Sequence, residues 1–362
     1  MRPLLLIDHG LIHADEAQAL KERQSQVMGQ SPAIDALARK LAGCTRHVIE
    51  GDRLPDEAVQ PALLHFLNQE LRLAHPDWLD GLPWAALSAL ADGLSPGPGE
   101  GWATLYLGEL LISPTQVGFA LQATQERSQQ LSPPRLRALR EGLQEGLGDP
   151  EACALQGRSG GLYLRTSRPL QLSCAHPRLI EGLHLPSFEP QGPDAARWRR
   201  ASHIVQMLWH QENNAARAAP QILWAWGAGA GLPAACLKTL KETPHGMKDM
   251  EDAPLWLIGL IKALTALGLP PDIHYRTFLP SGDSDPAREW WQDWAKWARE
   301  LEEIAARSPR GAWKLVVTQG SQGLVFESAP RSTMRGALAA MGERIRIGSS
   351  APLTDILTLH DD

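Results

Sequence analysis

Short apolar runs, each followed by a segment of helical period, recur at both ends of this chain and do most to limit its fold. Leu4-Leu5-Leu6-Ile7 and Trp313 to Val317 have the length and composition of strands buried on both faces. His47-Val48-Ile49 and Asp272-Ile273-His274-Tyr275 read as shorter versions of the same element. Between them lie amphipathic helices. One begins at Ser31-Pro32, a cap followed by a first-turn proline, carries Ile34, Leu37 and Leu41 on one face, and closes at Gly43. Residues 55–75 present Leu63, Leu64, Leu67 and Leu71; residues 83–94 present Leu87, Leu90 and Leu94. Pro254 to Leu267 is apolar throughout, and Pro286 to about Arg307 aligns Trp290, Trp294, Trp297, Leu301 and Ile304. Strands alternating with helices predict a mainly parallel sheet with helices on both faces, a three-layer α/β/α core.

The middle of the chain has a different texture. Trp102 to Ile112 and Val117 to Leu121 read as strands, and a helix from Pro133 to Leu147 follows Ser132 as its cap. Gly161 to Arg165 and Leu170 to Leu172 alternate like hairpin strands, and Asp194 opens a helix through Trp209 that buries Trp198, Ala201, Val205 and Leu208. These elements predict a small inserted α+β domain. A chain of 362 residues exceeds what one core usually serves. With Ser95-Pro96-Gly97-Pro98-Gly99 as the clearest linker, the division expected is core over 1–97, insertion over 98–216 and core again over 217–362.

The balance of 21% charged residues and a net charge of −6 gives no reason to expect nucleic acid or an anionic membrane as partner. No apolar run approaches the roughly 18 residues of a membrane span, and Met1-Arg2-Pro3 leads straight into the first strand, unlike a signal peptide. Cys44, Cys153, Cys174 and Cys236 lack metal-site spacing, which suits a reducing cytoplasm and argues against a zinc site or disulfide framework. Thirteen tryptophans against five phenylalanines and three tyrosines are expected to fill the core. A tryptophan-rich patch docking a protein partner is the other reading.

Three places carry chemistry. Leu4–Ile7 ends at Asp8-His9-Gly10, where the carboxylate is either a metal ligand or catalytic group, or a turn cap. Gln221 to Pro233 reads QILWAWGAGAGLP, an apolar run breaking into alternate glycines. It reads as a buried strand, with Trp224 and Trp226 in the central sheet, entering a tight loop at Gly227, Gly229 and Gly231. Such loops either hold ligands at the carboxyl ends of strands or simply let the backbone turn beneath bulky indoles. His203 and His210 share a helix face, but two imidazoles alone make a poor metal site.

Taken in order, these segments resemble the archaeal-type cofactor-independent phosphoglycerate mutases of the alkaline-phosphatase-like superfamily. They resemble more closely the RpfE-type regulatory proteins, relatives of those mutases. Leu4–Gly10 is similar to the strand ending in Asp-Gly that opens the mutase fold, and Ser31-Pro32-Ala33-Ile34-Asp35-Ala36-Leu37-Ala38 to its TPNLDALA helix. Residues 101–215 look like the domain inserted in the mutase core, and Asn214 to Arg217 resembles its NxxR. The Trp-Ala-Trp-Gly-Ala-Gly of 224–229 resembles the RpfE-type Trp-x-Trp-Gly-Gly-Gly.

The departures bear on function. The resemblance implies two divalent metals flanking a nucleophilic serine, a kit that phosphoryl transfer of this type requires. Yet no serine occurs between Ser31 and Ser88. The family's Thr-Gly-Asp-His corresponds to Thr318-Gln319-Gly320-Ser321. Of the metal set only Asp8 remains, with His274, Asp283 and Asp285 as weak substitutes. One carboxylate does not hold two hard cations. The expectation is therefore a non-catalytic regulatory or binding protein with no metal, no cofactor and no catalytic residue.

Its ligand site is expected at Asp8, His9, Gly227, Gly229, Thr318 and Ser321, with Asn214 and Arg217 reaching in from the insertion. Arg217 suits either a small phosphorylated or carboxylate metabolite or a salt bridge across the domain junction. A metal-dependent phosphotransferase or hydrolase with an altered site is the alternative.

Overall fold

The computed structural model describes residues 3–12, 14–27, 31–50, 61–72, 82–112, 117–121, 131–181, 183–184, 188–212, 222–238, 250, 253–269, 271–278, 285–308, 312–328 and 352–358. Two sheets organise them. The central sheet contains β1 (Leu4–Asp8), β2 (Thr45–Glu50), β8 (Ile273–Thr277), β9 (Lys314–Gln319) and β10 (Gln322–Glu327), in the order β2-β10-β9-β1-β8. β1 pairs in parallel with β8 on one side and β9 on the other, while β10 runs antiparallel to both β9 and β2. The sheet is thus mainly parallel, as expected. The antiparallel β10 was not foreseen, although Gly320-Ser321 between two apolar runs is the signature of a two-residue hairpin.

Side-chain alternation divides the sheet into two faces. Leu5, Ile7, Leu315, Val317, Leu324 and Phe326 face a core shared with α1 (Ala14–Val27), α2 (Pro32–Ala42), α9 (Pro286–Arg307) and α10 (Leu353–Leu357). Leu4, Leu6, Ile273, Tyr275, Val316 and Val325 face the other way, toward α3 (Ala62–Arg72). Helices on both sides make the three layers. The α9 stripe holds Trp290, Trp291, Trp294, Trp297, Leu301 and Ile304, all buried. Burial of large apolar side chains at about 2–3 kcal/mol each, before entropy, makes this stripe a main anchor of the helix.

The second sheet is wholly antiparallel. It contains β3 (Gly101–Ile112), β4 (Val117–Leu121), β5 (Cys153–Gln156), β6 (Leu162–Thr166) and β7 (Ile222–Ala230). β5 replaces the strand expected over Leu170–Leu172, which is irregular. Packed with this sheet are α4 (Trp84–Ala91), α5 (Pro133–Leu147) and α7 (Ala195–Glu212), and α8 (Leu255–Ala266) packs on α4. Ser31 and Ser132 precede helices as expected, but neither side chain makes a cap hydrogen bond.

The tryptophan run departs from expectation. β7 pairs with β3, not with a central strand, from Ile222↔Gly108 to Ala230↔Gly101, across a bulge opposite Ala103. β7 runs on through Gly227, which sits in the bulge, to Gly229, which is opposite Trp102, so these two glycines belong to strand, and only Gly231 follows its end. Pairing with β3 satisfies a backbone row that the parallel strands never reach. The second sheet therefore draws one strand from beyond residue 216. Nor is the proline-glycine stretch a loose spacer: Leu232 N donates to Pro96 O at 2.9 Å and Gly231 N to Glu100 O at 2.9 Å. Every tryptophan among the described residues is buried, as expected of core residues, so none of these offers the docking patch of the other reading. No helix among the described residues is long and apolar enough to cross a membrane.

Candidate functional site

Asp8 lies at the carboxyl end of β1, level with Thr277 on β8 and Thr318 on β9. In a parallel sheet these residues lie on the same face, along with Tyr275 two positions earlier. The result is a polar cluster. Thr318 Oγ1 donates to Asp8 Oδ1 at 2.7 Å, the Tyr275 hydroxyl to Asp8 Oδ2 at 3.4 Å, and His9 N to Asp8 Oδ1 at 3.2 Å. Phe278 N donates to the Asp8 carbonyl at 3.0 Å, and Gly10 N to the Thr318 carbonyl at 3.1 Å. These bonds extend both parallel ladders past the end of β1 and fix the Asp8-His9-Gly10 turn.

That turn is strained. His9 has φ +59°, the only positive φ of a non-glycine residue among the described ones. The left-handed region costs a β-carbon about 1–2 kcal/mol, and such outliers concentrate where function holds them. Its imidazole is 40% exposed, with Nε2 3.8 Å from Asp8 Oδ2, too long for a hydrogen bond. Gly10 has no such freedom of choice: a β-carbon there would stand 2.6 Å from Ile7 Cγ2 and 2.8 Å from Val317 Cγ1.

From the stretch between β6 and α7 comes α6 (Pro177–Ile180), a single helical turn that brings Leu179 within reach of Gly320 and Arg178 near Tyr275. Burial and the Asp8 charge push the Tyr275 hydroxyl well above the usual phenol range, against the pull of Thr277 and Arg178. The phenol therefore stays a proton donor. Among the described residues no carboxylate pairs with the Arg178 guanidinium.

The segment before α6 is anchored by the tryptophans of β7. Trp224 Nε1 donates to Ala175 O at 3.0 Å, and the Trp226 ring meets His176 edge to face at 4.6 Å. His176 Nδ1 accepts from Arg178 N at 3.3 Å. Burial, reinforced by the Arg178 charge, lowers the His176 pKa to about 3, so the ring is neutral.

The expected residues thus scatter. Asp8, His9 and Thr318 come together. Ser321 is the second residue of the β9–β10 turn, after Gly320 at φ +56°. Gly227, at φ +64°, packs against α4, where a β-carbon would stand 3.1 Å from Ala85 N; around Gly229 there is open space. His274 projects from the opposite sheet face to Asp8, into a network in which Asp272 lies at 3.1 Å, Glu300 at 3.5 Å, and Arg276 bridges Glu300 at 2.6 Å. Asp285 caps α9 by accepting from Ala287 N at 3.2 Å. Neither can join Asp8 as a ligand. Asn214, Arg217 and Asp283 lie outside the described residues. No three His, Cys, Asp or Glu side chains converge for a metal among the described residues.

Comparison with solved structures places the chain beside a cofactor-independent phosphoglycerate mutase from Thermoplasma acidophilum, at 14% identity and TM-score 0.38, covering 99% of each chain. The PH0037 protein of Pyrococcus horikoshii aligns at 12% identity and TM-score 0.38, covering 92% of this chain and 89% of its own. No protein-family model matches the chain, and no curated protein matches it.

Tyr275, Thr277 and Arg178 were missed by sequence reading. Tyr275 could have been found from its place two residues before the end of a strand beside β1. Arg178 gave no signal, because nothing local says that a turn at 177–180 faces Tyr275 near the end of β8.

As chemistry, the site is a set of hydrogen-bond donors around one carboxylate. Thr318 and Asp8 have nucleophile-to-base geometry, but Thr318 is 1% exposed and no substrate carbon or phosphorus could reach its oxygen. The open groups are His9 and, across the junction, Arg178.

Proposed function

We propose that this chain is a non-catalytic regulatory or binding protein of RpfE type, on a phosphoglycerate-mutase-like scaffold that has lost its nucleophile and metal set. One observation carries this reading: Asp8, the sole remaining member of the expected metal set in that cluster, is already occupied by donors from Thr318, Tyr275 and His9. A carboxylate so engaged orients its neighbours; it is not an open coordination site. The ligand is a small phosphorylated or carboxylate metabolite held between the modules. Arg178 takes its anionic group, and His9 its polar body. No disulfide joins the four cysteines, in keeping with the cytoplasm as the working compartment.

A thermal-shift screen of the full chain against phosphorylated and carboxylate metabolites tests the proposal. At least one should raise the melting temperature, and Arg178→Gln should remove that shift. Silence across the whole screen overturns the metabolite site. Stoichiometric zinc or manganese in the purified protein would instead favour the metal-dependent phosphotransferase or hydrolase.

A further inference from the structure

The ring of His274, on the sheet face away from Asp8, has surroundings that only one of its charge states completes. β8 stands at the end of the strand order, paired with β1, and Leu4 N donates to Asp272 O at 2.8 Å as the first rung of that ladder. Two residues on, His274 lies between two carboxylates. Its Nε2 is 3.1 Å from Asp272 Oδ1, and its Nδ1 is 3.5 Å from Glu300 Oε1 on α9. A neutral imidazole has one N–H and one bare lone pair. Whichever tautomer it adopts, one nitrogen then faces a carboxylate oxygen with no proton between them. The imidazolium donates from both.

The other charges nearby are turned elsewhere or do not titrate. Arg276, two residues further along β8 and so on the same face, forks onto Glu300, with Nε 2.9 Å from Oε2 and Nη2 2.6 Å from Oε1. A guanidinium keeps its charge, so this bond holds α9 to the middle of β8 whatever the pH. On α9, Glu303 pairs with Arg307, and Lys296 acts on Asp293. The residue of β1 in register with His274 is the apolar Leu5. Among the described residues, Asp272 and Glu300 are thus the anions the ring meets.

We propose that His274 is a proton-dependent latch between the entry of β8 and α9. While protonated, the ring ties Asp272, and with it the first rung of the β1–β8 ladder, to Glu300. When the proton leaves, one of the two carboxylates loses its donor. Glu300 still has Arg276, so the middle of β8 stays held and its entry is what loosens. The carboxylates fix the direction: the bond to Glu300, with the Asp272 charge beside it, raises the His274 pKa above the ordinary 6.5 against the cost of burial. A raised folded value means that the contribution is complete below pH 6.5 and is lost as pH rises through that folded value.

Hydrogen exchange at the Leu4 amide tests this, because that N–H is the donor of the first rung. At any one pH the ratio of His274→Gln to parent exchange rates cancels the intrinsic rate. The variant should exchange about three-fold faster at pH 6, the worth of one modest hydrogen bond, and the ratio should shrink toward one at pH 9. A ratio that is the same at both values overturns the latch. The ring itself gives a second measurement, which stands even where His274→Gln does not fold. An NMR titration of the His274 ring in the full chain should show a midpoint above 6.5. Asp272→Asn, at an exposed side chain outside the Arg276 fork, should move that midpoint down. A parent midpoint at or below 6.5, or one that Asp272→Asn leaves in place, also overturns the proposal.

Discussion

The Thr318 hydroxyl donates to the Asp8 carboxylate at 2.7 Å, joining residues 310 positions apart at the ends of two adjacent parallel strands. This bond closes the carboxyl edge of the central sheet. Thr318→Val keeps the shape and removes the donor, leaving a largely buried acceptor with weaker partners. A loss of about 1.5–3 kcal/mol is expected, since hydrogen bonds to charged groups contribute about that much. Urea denaturation should show a lower midpoint at unchanged slope. A variant as stable as the parent would mean that solvent replaces the bond fully.

The strain at His9 makes an opposite prediction. His9→Gly relieves the left-handed penalty, so stability should rise by as much as about 1 kcal/mol, less the entropy that glycine loses on folding. The same change removes the exposed imidazole, so any metabolite shift found in the thermal screen should shrink. Gain of stability with loss of ligand response is the mark of a functional outlier. Loss of both would make His9 structural.

A pH dependence follows from His176. Its folded pKa, about 3, lies below the ordinary 6.5, so between those values the unfolded chain binds a proton that the folded chain refuses. The stability from this group is complete above pH 6.5 and falls as pH drops, by about 1.4 kcal/mol per unit. Carboxylates titrate lower down, so the comparison that isolates His176 is with His176→Asn, which keeps an acceptor for Arg178 N. Folding free energies at pH 7 and pH 5 should diverge less in the variant than in the parent. Equal pH dependence would show that the ring is not buried neutral.

Gly231 tests the seam between the linker and β7. A β-carbon there would fall 1.9 Å from the Gly97 carbonyl oxygen, a backbone atom that cannot rotate away. Gly231→Ala should cost at least about 2 kcal/mol through displacement of one segment or the other. Gly229→Ala meets no atom within 4 Å and serves as the control. Thermal melts of the pair should separate clearly. A similar melting temperature in both would mean that 96–99 is free of β7.

Much was legible from local pattern, because the period of a strand or helix is written within its own residues. Leu4–Asp8, Gly101–Ile112, Pro133–Leu147 and Pro286–Arg307 stand close to where their periodicity put them. The faces of the central sheet could be read too, since alternation puts Leu4 and Leu6 opposite Leu5 and Ile7. Partners could not be read. Trp224 and Trp226 look like any buried strand, and only pairing with β3 shows which sheet they join. Their neighbourhood then carries Ala175, His176 and α6 to the junction.

For the site, sequence alone determined that a carboxylate and a histidine end the first strand, and that no serine stands between Ser31 and Ser88. Tertiary structure decided the rest: Tyr275 and Thr318 surround Asp8, Arg178 comes to the same place, and His274 turns to the opposite face. The physical reason is the range of the interactions. Periodicity acts over a few residues, whereas strand order and module docking depend on contacts hundreds of residues apart, which no local pattern encodes.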